Sequence, residues 1–124
     1  MSSPAAGGPV IQVFGREDHQ ETRAALRFFK ERRVEIQFVD LRRKPIAAGE
    51  LRRFIERLGP IAIADTAGRR WADAGMGYLK LTDAELGDRL LLDQRLLRLP
   101  LVRIGKSCAA GRDEVAWKSL LAGA

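Results

Sequence analysis

Hydrophobic and polar positions along this chain fall into short blocks that switch between the strand period and the helix period. The first block, VIQVF at residues 10–14, is β-branched and aromatic and stops at Gly15, which is typical of a buried strand. The next block has an apolar face between an acidic start and a basic end, so a helix is predicted over residues 19–33. Asp18 and Glu21 have the spacing of a capping box at its start.

The remaining blocks predict a second strand, a helical stretch, a hairpin and a closing helix. Residues 34–41 alternate apolar and polar side chains, so the chain opens with a β-α-β unit whose two strands are parallel. Helical patterns fill residues 46–97 and include an unbroken helix through residues 90–97. LVRI after Pro100 and a turn at residues 105–106 predict the hairpin. This order predicts an α/β protein with a thioredoxin-like mixed four-stranded sheet and an all-helical insertion between the second and third strands.

The 124 residues suit one domain, predicted over residues 10–121 with the helical insertion at about 46–97. Residues 1–9 are predicted to be a flexible leader because they lack a basic stretch followed by an apolar one. No apolar run approaches the ~20 residues that span a bilayer. We therefore expect no membrane association and a cytoplasmic location.

The chain has one cysteine, Cys108, and one histidine, His19. A single thiol excludes a disulfide within the chain, a CxxC redox pair and a zinc ribbon, and a single histidine excludes a His-rich metal site. No metal site is predicted. Cys108 lies on the predicted fourth strand, where a small core residue is favoured over a reactive thiol.

The formal charge of +6 and a pI near 10.2 raise the question of an anionic partner. The basic residues are spread along the chain among acidic ones, and no basic stripe alternates with aromatic residues as single-strand binders require. Nucleic acid is therefore not the expected partner, although steep salt dependence would indicate it. An acidic protein fits the charge about as well as RNA or DNA would.

Three sequence segments resemble motifs of the arsenate-reductase-like family, which includes glutathione- or glutaredoxin-linked arsenate reductases and the Spx-type transcriptional regulators. The family's first strand leads into a loop that ends in a cysteine at the helix start. VFGREDHQETRAALRFF fills that stretch here, with Arg23 and Ala25 on the family pattern and His19 at the cysteine position. DTAGRRW echoes a middle motif, and LPLVRIGKSCAAGRDE echoes the family's C-terminal signature. The resemblance covers residues 10–121.

The resemblance also carries expectations for the residues around Pro100. In thioredoxin-like proteins this position holds a cis proline beside the active site, so a cis Leu99–Pro100 bond is expected. The family's arginine before the proline is Leu99 here. An apolar side chain therefore stands where the resemblance places part of an oxyanion clamp.

In the family, the cysteine thiolate attacks arsenate while arginines hold the oxyanion, and the positive pole of the helix stabilises the thiolate. An imidazole cannot form a disulfide, so no residue here is predicted to be catalytic. His19, Arg23, Leu99 and Pro100 are expected to be the relics of that site. Arg16, His19 and Arg23 are candidates for binding an anion at the helix start, with ordinary surface charge as the equal alternative.

Two functions follow from these expectations. The first is a redox-inactive protein that acts by binding, in a regulatory role like that of the Spx proteins, which contact RNA polymerase. The alternative is a glutathione-dependent oxidoreductase in which the small thiol supplies the sulfur. Enzymatic activity stays open, with binding preferred, and no cofactor is predicted apart from glutathione under the alternative.

Overall fold

The computed structural model describes residues 10–123, and its elements follow the predicted order. The strands are β1 (Val10–Gly15), β2 (Glu35–Asp40), β3 (Leu101–Ile104) and β4 (Ser107–Ala110). The α-helices are α1 (Gln20–Glu31), α2 (Ala48–Leu58), α3 (Arg69–Asp73), α4 (Asp83–Leu92) and α5 (Glu114–Ala122). Two 3₁₀ turns span Met76–Tyr78 and Gln94–Leu96.

The four strands form one mixed sheet in the order β2-β1-β3-β4. β1 and β2 are parallel, as a β-α-β unit requires, and pair from Val10 opposite Glu35 to Gly15 opposite Asp40. β3 runs antiparallel to both β1 and β4. This topology confirms the predicted fold class, a thioredoxin-like mixed sheet with helices.

The chain divides into two compact units, one formed by Met1–Pro45 with Leu99–Ala124 and the other by Ile46–Arg98. The first unit holds the sheet with α1 and α5, and the second holds α2, α3 and α4. The single domain over residues 10–121 with an insertion at 46–97 stays a prediction. Its leader, residues 1–9, lies outside the described residues.

Aromatic side chains form the centre of the first unit's core. Trp117 on α5 is fully buried, and its ring centroid lies 5.2 Å from that of Phe28 and 5.8 Å from that of Phe29. Both phenylalanines lie on the buried stripe of α1, which the helix period predicts. The sheet supplies side chains to the same cluster from three strands: Ile11, Val13, Val102, Ile104 and Ala109.

Aliphatic and phenylalanine side chains form the core of the second unit, in which α2 buries Leu51 and Phe54 and α4 buries Leu86 and Leu90. Trp71, the one tryptophan of this unit, is only half-buried on α3, a helix with no buried residue. The helices therefore pack through their amphipathic faces without a central tryptophan.

The predicted helix through residues 90–97 is wrong, because α4 ends at Leu92 and a 3₁₀ turn follows. Asp93 ends it by accepting hydrogen bonds from the backbone N–H of Arg95 (3.1 Å) and from Nε and Nη2 of Arg70 (3.0 and 2.8 Å). A side chain that caps the following turn competes with helix continuation. Burial acts to raise the pKa of the Asp93 carboxyl, but hydrogen bonds from Arg95 and Arg70 outweigh it and leave the pKa below its ordinary value.

Asp93→Asn is therefore expected to lower the free energy of unfolding near neutral pH. A lowered folded-state pKa gives stability that is present above the unfolded pKa of about 3.9 and is lost as pH falls towards the folded value. The difference between wild type and variant should thus shrink below about pH 4. Chemical denaturation across pH measures this, with the exposed Asp88→Asn as the control; an equal difference at every pH would contradict the prediction.

Candidate functional site

Two loops and the Leu99–Pro100 peptide lie at one end of the sheet in the first unit. β1 ends at Gly15, which pairs with Asp40 at the end of the parallel strand β2. β3 begins at the same end, because Phe14 lies opposite Leu101 in the antiparallel pair. The loop before α1, the loop after β2 and the Leu99–Pro100 peptide therefore share this edge.

His19 is the N-cap residue of α1, with extended backbone angles of φ −97° and ψ 126°. Its Nδ1 accepts the backbone N–H of Thr22 at 3.3 Å and lies 3.0 Å from Thr22 Oγ1. Its Nε2 lies 3.3 Å from a carboxylate oxygen of Glu21. The contact in which Nδ1 accepts the Thr22 N–H fits the tautomer with its proton on Nε2, the nitrogen that faces Glu21. The imidazole thus satisfies one of the helix's open N–H groups.

The predicted capping box of Asp18 and Glu21 is wrong by one residue. Both oxygens of Asp18 accept hydrogen bonds from Arg16, at 3.0 Å from Nε and 2.9 Å from Nη2. This bidentate pair takes the carboxylate away from the helix start. His19 performs the capping instead, a role for which its ring nitrogen suffices.

Thr22 is the residue that connects the loop to the helix, and sequence reasoning missed it. Thr22 is a buried polar residue with an exposed fraction of 0%. Its Oγ1 accepts the backbone N–H of Arg16 at 3.3 Å, beside its contact with His19. The Thr22 side chain fits against the strand because residue 15 is a glycine, since a Cβ there would lie 2.6 Å from Thr22 Cγ2. The available signal was a glycine closing the strand with a threonine in the first helical turn.

Opposite charges alternate along the loop before α1 and the end of β2. Arg42 binds Asp40 at 3.0 Å and reaches the Glu17 carboxylate at 3.4 Å. Hydrogen bonds from Arg16 lower the pKa of the Asp18 carboxyl, and those from Arg42 lower the pKa of Asp40. The paired carboxylates therefore stay ionised, and they balance much of the positive charge at this edge.

The predicted anion-binding side chains lie around one loop, and each contacts a group of this protein. Arg16 pairs with Asp18, and Nη1 of Arg23 donates to the backbone carbonyl of Glu17 at 3.2 Å. The imidazole of His19 faces a carboxylate, as described above. An anion at the helix start would have to displace these partners.

Leu99 and Pro100 precede β3 at the same edge of the sheet. The peptide bond between them is cis, which confirms the predicted geometry. Pro100 is fully buried, and its carbonyl accepts the backbone N–H of Gly111 at 2.9 Å. Leu99 is half-buried, and its side chain has no hydrogen-bonding group. The position before the proline therefore contributes apolar surface.

Cys108 lies away from the start of α1. It pairs with Arg103 in the β3–β4 ladder, nearer the hairpin turn than Leu101 and Ala110 are. β4 is separated from β1 by β3, a lateral distance of about 10 Å at ordinary strand spacing. The thiol is partly exposed, with Sγ 4.0 Å from the carbonyl oxygen of Lys106. The one sulfur nucleophile of the chain is therefore not at the helix pole.

Within residues 10–123, no group of three or more His, Cys, Asp or Glu side chains is arranged to hold a metal ion. None of the helices in that range has the length and apolar character to cross a bilayer.

No protein-family model and no curated protein sequence matches this chain. Solved structures do match, among them the YffB protein at a TM-score of 0.80 and 19% identity, with 90% of this chain and 98% of that one covered. An arsenate reductase from Vibrio cholerae matches at 0.76 and 16%, with 93% and 98% covered. An arsenate reductase (ArsC) related protein from Brucella melitensis matches at 0.67 and 12%, with 90% and 94% covered.

These structural neighbours include arsenate-reductase-like proteins, so the chain has the thioredoxin-like fold of the ArsC type. The predicted resemblance is confirmed at the level of the fold. At these sequence identities, the structural similarity does not assign the neighbours' activity or their site residues to this chain.

Proposed function

We propose that this protein acts by binding a partner, without thiol chemistry, on an ArsC-type fold. One observation carries the proposal: the N-cap of α1 is His19, so an imidazole nitrogen, and no sulfur, accepts the Thr22 N–H at the positive pole of the helix. Thiol exchange requires a sulfur that can form and release a disulfide bond, which imidazole cannot do. We take His19 as the replacement of the cysteine that the resemblance places there.

The loss of an oxyanion clamp supports the same proposal. Leu99 stands where the resembling family has an arginine, and the guanidinium groups of Arg16 and Arg23 already contact groups of their own loop. Arsenate would meet an apolar residue and paired carboxylates at this edge. We infer that His19, Arg23, Leu99 and Pro100 are relics of a reductase site.

Charge favours an acidic protein as the partner. The unit formed by Met1–Pro45 and Leu99–Ala124 has 13 Lys and Arg against 8 Asp and Glu, whereas the unit Ile46–Arg98 has 9 against 8. Complementary charge increases the rate of encounter and selects the partner. By analogy with the Spx regulators, an acidic surface of RNA polymerase is the first candidate, which gives the protein a regulatory role.

The test of the missing thiol is a His19→Cys substitution in a Cys108→Ser background. The backbone N–H of Thr22 and the helix pole would stabilise a thiolate at this position, so alkylation near pH 7 should be about tenfold faster than that of wild-type Cys108. Arsenate reduction should stay undetectable in both proteins, because Leu99 replaces the clamp. His19→Ser in the same background is the matched control without sulfur.

Arsenate turnover by the wild type with glutathione and glutaredoxin would overturn the proposal, whether or not Cys108→Ser abolished it. Glutathione binding is checked separately by an NMR titration of the wild type. Shifts centred on His19 and Pro100 would support the glutathione-dependent alternative. Their absence would leave partner binding as the proposed function.

A further inference from the structure

A small cleft in the first unit is lined by α1 and by the residues that lead into α5. Its volume is about 150 Å³, and its charged lining consists of three arginines and two glutamates: Arg27, Arg32, Arg112, Glu31 and Glu114. Ligand pockets for cofactors and drug-sized molecules are about 300–1,000 Å³. The cleft therefore suits a single small group.

Arg32 is held in place on one wall of this cleft. Its guanidinium lies over the ring of Phe28, 3.5 Å from the centroid, and Nη1 donates to the Phe28 carbonyl at 3.1 Å. Phe28 is buried, so the arginine rests on a fixed aromatic surface. A guanidinium has five N–H donors, and this arrangement orders them before any ligand arrives.

The other two arginines lie on different segments of the cleft. Arg112 precedes α5, and its Nη2 lies 3.5 Å from a carboxylate oxygen of Glu114. Arg27 is exposed on α1, and its guanidinium makes no hydrogen bond or ion pair within residues 10–123. The cleft therefore already holds one carboxylate beside an arginine, and it has a further guanidinium with no internal partner in that range.

We propose that this cleft binds one carboxylate side chain from an acidic segment of a partner protein. The lining has a formal charge of +1, which a single carboxylate neutralises. A phosphate dianion would instead leave a net negative charge in the cleft, beside Glu31 and Glu114. The ordered guanidinium of Arg32 offers the planar donor pair that a carboxylate accepts. This inference rests on the proposed function and assigns the surface through which it operates.

The experiment measures binding of a fluorescein-labelled peptide of repeated Glu-Gly units by anisotropy at low ionic strength. Arg27→Ala and Arg112→Ala are each expected to weaken the Kd about threefold to fivefold, the size of a partly exposed charge pair. Arg43→Ala removes the same charge from an exposed position in the same unit and should change it less than about twofold. Circular dichroism of each variant checks that it is folded.

The outcomes separate the cleft from the proposed function. If all three variants weaken peptide binding equally, the cleft is not the binding site, and the proposal of an acidic partner is unaffected. Binding no stronger than that of a Gln-Gly repeat peptide would overturn both. Tighter binding of inorganic phosphate or of an oligonucleotide, with the same dependence on Arg27 and Arg112, would overturn the carboxylate as the ligand.

Discussion

Trp117→Ala is expected to lower the free energy of unfolding by about 4 kcal/mol, the largest effect of any single substitution considered for this chain. The side chain is fully buried and contacts both phenylalanines of α1. Its removal takes apolar area out of the core and leaves a cavity between helix and sheet that rigid aromatic neighbours cannot fill. Denaturant unfolding followed by circular dichroism measures the change.

Trp71→Ala is the matched control, because the same atoms are removed from a half-buried site on α3. Its expected cost is about 1 kcal/mol, near the centre of the range for point mutations. The chain has two tryptophans, so each variant also reports through the fluorescence of the other. Equal destabilisation by the two substitutions would show that the core is not centred on Trp117.

The elements that the sequence predicted best are those whose pattern is local. The apolar stripe of α1 and the alternation in β2 follow from the helix and strand periods, and both elements lie within about two residues of their predicted ends. The end of α4 could not be predicted in this way. Arg70, distant in sequence, helps to hold the carboxylate of Asp93 that starts the next turn.

The candidate site shows the same division between local and distant information. Motif spacing placed His19 at the start of α1, and the structure puts it at the N-cap. Spacing alone favoured Asp18 as the cap, because it contains no information about the bidentate pair with Arg16. The cleft lined by Arg27 and Arg112 could not be predicted from the sequence either, since α1 and the start of α5 come together only in the folded chain.

The buried side chain of Thr22 links the loop at Arg16 to the helix cap at His19. A threonine in the first turn of an amphipathic helix is ordinarily a surface residue, and only the approach of the loop backbone covers it. The hydroxyl contacts both the Arg16 N–H and the His19 ring, so the conformation of the loop and the helix cap depend on the same side chain. Any change that moves Thr22 should therefore alter both.

Gly15→Ala is expected to lower the free energy of unfolding by about 3 kcal/mol, at the upper end of the usual cost of overpacking. The new Cβ would lie 2.6 Å from Thr22 Cγ2 and closer still to Thr22 Oγ1. Thr22 is fully buried and β-branched, so it has no free rotamer into which it can move. The hydroxyl contacts to the loop and to His19 should be lost together, which NMR shifts of the Arg16 and Thr22 amides would report.

A double-mutant cycle tests whether the clash with Thr22 is the cause. Thr22→Ala removes the two nearest atoms and leaves its Cβ 3.1 Å from the new methyl group, so Gly15→Ala should cost about 1–2 kcal/mol less in that background. Gly49→Ala, at a helical glycine with open space around it, controls for the change in residue type and should be neutral or slightly stabilising. Strict additivity in the cycle would locate the cost of Gly15→Ala elsewhere and remove Thr22 from the link between the loop and the His19 cap.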